Sequence, residues 1–183
     1  MEIQFEKIEQ VCSTLKADHT ALIDVEQFVF SKALRDMCTS NVCGKYGTNW
    51  ACPPAIGEFE EAQQKLRTYD KALIIQTVYT LEDSFDFEGM LEAKKVHKEM
   101  VEKIDAAIGE MYPELDKMSL GAGGCEYCEK CTYTENKPCR FPKKLVAPIE
   151  GHGVDVTALA KTSGMAYNNG PNTVSYIGAI LLK

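Results

Sequence analysis

The sequence predicts an α/β fold: a single domain with a mixed sheet flanked by helices and two cysteine-rich loops gathered at one end. Three observations carry this. Phe59, Ala62, Leu66 and Tyr69 repeat at helical spacing and feed into the Ile- and Val-rich run Ala72 to Tyr79, which reads as a strand buried on both faces. A longer helix before Pro113 leads into a second short strand. The final run, Thr173 to Leu182, is apolar enough to lie inside a sheet. With 183 residues, no internal repeat and no low-complexity linker, one domain over residues 1–183 is expected, long enough to bury a real core.

The elements follow in order. Residues 2–16 place Phe5, Ile8, Val11, Cys12 and Leu15 near one helical face, so Cys12 reads first as a small buried hydrophobe and only second as a ligand. Thr20 to Val25 reads as a short strand, and the apolar segment Phe28 to Leu34 leads into the first cysteine loop. Glu58 to Tyr69 is an amphipathic helix. Asp83 or Ser84 is positioned to cap the long helix, whose positions Phe87, Met90, Leu91, Val96, Met100, Val101, Ile104 and Ile108 hold the 3.6 period. His97, with no cysteine or second histidine at helical spacing, reads as a surface or boundary residue. Lys117 to Leu120 is a short strand, and residues 143–149 form a loop or short strand broken by Pro142 and Pro148. Asp155 caps a helix over Val156 to Thr162 closed by Gly164, and Asn168-Asn-Gly-Pro171 turns the chain into the last strand.

The chemistry lies in the two loops, 38–54 and 121–142. The second holds Cys125, Cys128 and Cys131 as CxxCxxC and, after seven intervening residues, Cys139-Arg-Phe-Pro. Such close spacing lets three sulfurs meet three different irons of one small cubane, whereas a tetrahedral zinc is usually built from two separated CxxC-type pairs. An iron–sulfur cluster, [4Fe–4S] in type, is therefore favoured over zinc, and zinc over disulfides. The first loop reads Cys38-TSNV-Cys43-GKYGTNWA-Cys52-Pro-Pro. Its prolines bar helix after Cys52, and Gly44 and Gly47 permit the turns that curl a chain around a ligand. Cys38, Cys43 and Cys52 are accordingly a second set of candidate ligands, against the plainer reading of a turn-rich loop with free thiols. Tyr46 and Trp50 read as core anchors before they read as a cover for a cluster. The run Gly121-Ala-Gly-Gly124 lets backbone N–H groups approach sulfur or else serves as a hinge. It lacks the GK[ST] ending of a phosphate loop, and a dinucleotide fingerprint is absent. His152, between Gly151 and Gly153, is a ligand or proton donor only if it is not simply part of a turn. Neither loop has the CxxxCxxC spacing of a radical S-adenosylmethionine enzyme.

A net charge of −7 and no Lys/Arg block argue against a nucleic-acid partner. The start, MEIQFEKIEQ, carries no apolar secretory core and no stretch is long enough to cross a bilayer, so the expectation is a cytoplasmic chain in a reducing compartment, with thiols used for metal.

Together, the Cys38…Cys43…Tyr46-Gly47…Cys52-Pro-Pro box, the Cys125-x-x-Cys128-x-x-Cys131 run with Pro138-Cys139-Arg-Phe-Pro142, and Glu150-x-x-Gly153-Val-Asp155 resemble an uncharacterised family of predicted metal-binding proteins, over roughly residues 25–183. The resemblance implies a small cysteine-rich protein of anaerobic bacteria or archaea and assigns no reaction; Cys12 lies outside it. Seven cysteines do not divide evenly among four-ligand clusters. The simplest partition gives Cys125, Cys128, Cys131 and Cys139 one cluster and leaves Cys38, Cys43 and Cys52 a second site with an open fourth position, so one or two clusters are expected. Cys12 completing a second cluster, or Cys52 joining the first, are the alternatives. Three roles follow: electron transfer to or from a redox partner protein, metal-dependent catalysis at the three-cysteine site, or a structural zinc module.

Overall fold

The computed structural model describes residues 3–183. One five-stranded mixed sheet organises the chain, built from β1 (His19–Asp24), β2 (Lys71–Thr80), β3 (Lys117–Gly121), β4 (Ala147–Pro148) and β5 (Thr173–Leu182) in the order β1-β2-β5-β3-β4. All neighbours are antiparallel except β3 and β4. The two ten-residue strands β2 and β5 are paired along their whole length, Lys71 opposite Leu182 and Thr80 opposite Thr173, and form its centre.

Alternation along these strands sorts the core into two layers. Leu73 and Ile75 of β2 and Ile180 and Leu182 of β5 face α1 (Phe5–Thr14) and α4 (Phe87–Met111), where they pack on Ile8, Ile104 and Ile108. Ala72 and Ile74 of β2 and Ile177, Ala179 and Leu181 of β5 face the other way. They meet Leu66 of α3 (Phe59–Leu66), Leu159 of α5 (Val156–Thr162) and Ala51 of the first cysteine loop. Burial of each large aliphatic side chain contributes about 1.5–3 kcal/mol, so the two layers fix which side of the sheet each helix and loop occupies.

Three expectations for α4 are corrected. Its cap is Asp86, whose carboxylate accepts the Gly89 N–H at 2.8 Å, and not Asp83 or Ser84; Asp83 instead accepts the Phe85 N–H in the preceding turn. The buried stripe is Ala93, His97, Met100, Val101, Ile104 and Ile108, while Phe87 and Leu91 are 68% and 67% exposed. The stripe from Ala93 to Ile108, about four turns of helix, lies on the sheet, while the N-terminal turn leaves Phe87 and Leu91 to solvent. His97 falls in register with Ala93 and Val101, so it is buried and not a surface residue.

Candidate metal centre

The first cysteine loop grows from α2 (Lys32–Asp36), which runs into a 3₁₀ turn at Met37–Ser40 carrying Cys38. Asn41 ends that turn in left-handed conformation and its side-chain oxygen accepts the Tyr46 N–H at 2.9 Å. Gly44 and Gly47 follow with φ of +68° and +65° and nothing crowding them, so glycine is needed there for the backbone angle alone. The loop closes where the Gly47 N–H donates to the Pro53 carbonyl at 2.8 Å, and buried Ala51 pins it to the core. Cys52 is thereby buried, Cys38 partly buried and Cys43 exposed. Burial pushes the Cys52 thiol up, opposed by the Asn49 side chain, and charge on Cys43 or Cys38 would raise it further. Burial also raises Cys38, and the Arg35 guanidinium opposes this. The three thiols are thus within electrostatic reach of one another, beside a buried arginine.

The second loop leaves β3 through the glycine run. Cys125, Cys128, Cys131 and Cys139 are each partly buried and all line one small cavity, closed by Tyr127, Thr132, Phe141 and Leu145. The return of the chain is held by the Thr132 hydroxyl, which donates to the Pro138 carbonyl at 2.9 Å, and by Arg140, which donates to the Lys130 carbonyl at 2.9 Å. Two sulfurs already receive backbone donors two residues ahead. The Phe141 N–H points at Cys139 Sγ at 3.4 Å, and the Tyr127 N–H partly offsets the burial that raises Cys125. Such donors favour thiolate and tune the potential of a bound cluster. Among the described residues no three Cys, His, Asp or Glu side chains meet closely enough to clasp one ion. The four cysteines share the lining of one cavity.

The two loops are built against each other. A Cβ on Gly124 would lie 3.0 Å from Cys52 Sγ, so glycine at 124 serves close backbone approach to sulfur and not a hinge. Trp50, expected as a core anchor, is instead a half-buried staple: its indole N–H donates to the Lys137 carbonyl at 3.0 Å and its ring meets Tyr133 edge-on at 5.0 Å. Cys12 is excluded from this assembly, because it packs under α4 with Leu73 and Ile75, on the sheet face opposite Ala51 and Cys125. Burial holds its thiol up at about 11.

Both mid-chain histidines are buried. His152 places Nδ1 3.1 Å from the Pro148 carbonyl, inside a 3₁₀ turn closed by Gly153 at φ +76°, and it does not line the four-cysteine cavity. A carbonyl can only accept, so Nδ1 carries the proton. His97 pairs Nδ1 with the Thr77 hydroxyl at 2.8 Å, and its Nε2 has no partner among the described residues.

Sequence reasoning missed a cleft of about 530 Å³ between α4, β3, the glycine run and residues 142–146, with His97 in its lining and Cys125, Tyr127 and Leu145 shared with the four-cysteine cavity. Its lysines are scattered in sequence over positions 94 to 144, so no block betrayed it. Arg35 was also missed; the one available signal was a basic residue in the last turn of the helix leading to Cys38.

Over residues 21–182 the chain matches the model of a family described as "Predicted metal-binding protein (DUF2284)". The chain belongs to that family. The resemblance read from the cysteine boxes is thereby confirmed, and with it metal binding as the family's description. Comparison with curated proteins gives no match for this family member. Among solved structures it is similar to a selenomethionine-labelled epoxyqueuosine reductase, with TM-score 0.49 and 9% identity over 97% of this chain and 45% of that one. It is also similar to the epoxyqueuosine reductase of Streptococcus thermophilus, with TM-score 0.48 and 11% identity over 100% of this chain and 46% of that one. The chain spans less than half the length of either. No helix among the described residues is long and apolar enough to cross a membrane.

Proposed function

We propose that this is an iron–sulfur protein of the cytoplasm that passes electrons to or from a partner enzyme in anaerobic metabolism. The observation that carries the reading is the single cavity lined by Cys125, Cys128, Cys131 and Cys139. Three cysteines at two-residue spacing, with a fourth lining the same cavity, suit a polyatomic cluster better than one tetrahedral ion, which is usually built from two separated pairs. When bound, a [4Fe–4S] cluster supplies a one-electron store. The chain's own part is to ligate through these thiolates, to donate N–H groups from Tyr127 and Phe141 to sulfur, and to shield the site with Phe141 and Leu145. Cys38, Cys43 and Cys52 form the second ligand set, with Cys52 against Gly124 linking the two loops.

Thiolate ligation and the net charge of −7 both oppose adding an electron, so anaerobically prepared protein is expected to titrate reversibly at low potential, on the order of −400 mV. An EPR-monitored redox titration checks this. A centre silent across the accessible window leaves the structural zinc module in its place. One observation favours a second reading, a metal-dependent enzyme: a cleft of ligand size borders Cys125.

A further inference from the structure

We propose that the cleft between α4 and the glycine run binds a small polyanion, a compact molecule bearing phosphate or carboxylate groups. In a chain of net charge −7, the lining holds five lysines, Lys94, Lys98, Lys117, Lys143 and Lys144, against two carboxylates, Glu102 and Asp105. Both carboxylates are engaged internally. Glu102 accepts from the Tyr127 hydroxyl, and Asp105 pairs with Lys117 and accepts from the Ser119 hydroxyl at 2.8 Å. Lys94 pairs with Glu126 at 2.9 Å, outside the lining.

That leaves Lys98, Lys143 and Lys144 with no ion-pair partner among the described residues. Lys98 sits 4.1 Å over the Tyr127 ring, which holds its ammonium at the cleft wall. Like charges gathered in a concave, partly apolar wall focus potential and attract a counter-charge, and the volume of about 530 Å³ is that of a small-molecule site. Val101, Met118 and Val146 supply the apolar wall for the body of the ligand. Gly123 keeps the wall open: a Cβ there would lie 3.1 Å from Lys94 Nζ. Because Cys125 and Tyr127 line this cleft and the cysteine cavity alike, a molecule held here lies against the wall of the proposed centre.

The site stands on the chain's own lysines and does not rest on the iron–sulfur reading. Calorimetric titration of the anaerobically purified protein with pyrophosphate and with citrate, against sodium chloride of equal ionic strength, tests it, with iron and sulfide assayed on the same samples. One or both polyanions should bind beyond the salt control, and which one binds tells the anionic group. Lys98→Gln combined with Lys143→Gln should weaken that binding about tenfold or more. In the unaltered protein, the bound polyanion should protect Lys98 and Lys143 from acetylation, read by mass spectrometry, which keeps the test independent of the variant's folding. No binding beyond the salt control overturns the proposal, as does binding that neither protects these lysines nor weakens in the double variant. Binding to protein without iron upholds the cleft and counts against the cluster alone.

Discussion

Replacing Cys128 with serine removes most of the iron and acid-labile sulfide from anaerobically purified protein, while Cys12→Ala leaves both unchanged. Cys128 lines the four-cysteine cavity with three other thiols, and a hydroxyl is a poor substitute for thiolate at iron. Cys12 packs on the far face of the sheet beneath α4. Its loss costs stability, on the order of 1 kcal/mol for a small buried group, and no metal. Unfolding in urea together with iron and sulfide assays separates the two effects. Equal iron in Cys128→Ser and the parent protein would remove Cys128 from the ligand set.

Acid destabilises the fold through two buried imidazoles. Burial lowers His97 and His152 from an ordinary 6.5 to about 4. Both are neutral in the folded protein at pH 5, while the unfolded chain binds protons at these positions below about 6.5. Their contribution is therefore fully present above pH 6.5, is lost as pH falls toward 4, and changes no further below that. A displacement of this size is worth on the order of 3 kcal/mol per histidine. Urea unfolding at pH 7.5 and pH 4.5 should show this loss. In His97→Asn the difference between the two pH values should shrink by roughly half the histidine share, because carboxylates titrate alike in both proteins. An identical pH dependence in parent and variant would show that His97 does not remain neutral in the fold.

The sheet was legible because β2 and β5 are long and carry the unbroken apolar runs 72–75 and 177–182, and a run of Ile, Leu and Ala buried on both faces has few other readings. The cysteine loops stood out because cysteine spacing and the Pro-Pro step are local properties. What stayed hidden depends on register and on distant approach. The face of α4 differs from its apolar pattern because Phe87 and Leu91 hold the helical period yet stay exposed, and His97 takes a buried place that polarity disguises. Trp50 bridges to Lys137 and Tyr133, some eighty residues onward, which no local pattern encodes. The cleft collects lysines from α4, β3 and the turn before β4, and only the topology brings them together.

What the four thiols of the second loop hold decides the protein's role. Iron, zinc and sulfide analysis of protein purified under strict anaerobiosis, with EPR of the dithionite-reduced sample, tests this most directly. Iron and sulfide in equal amount, about four of each per cluster, with a spectrum of a reduced [4Fe–4S] centre, is the predicted result. Stoichiometric zinc with neither iron nor sulfide after anaerobic growth would contradict it.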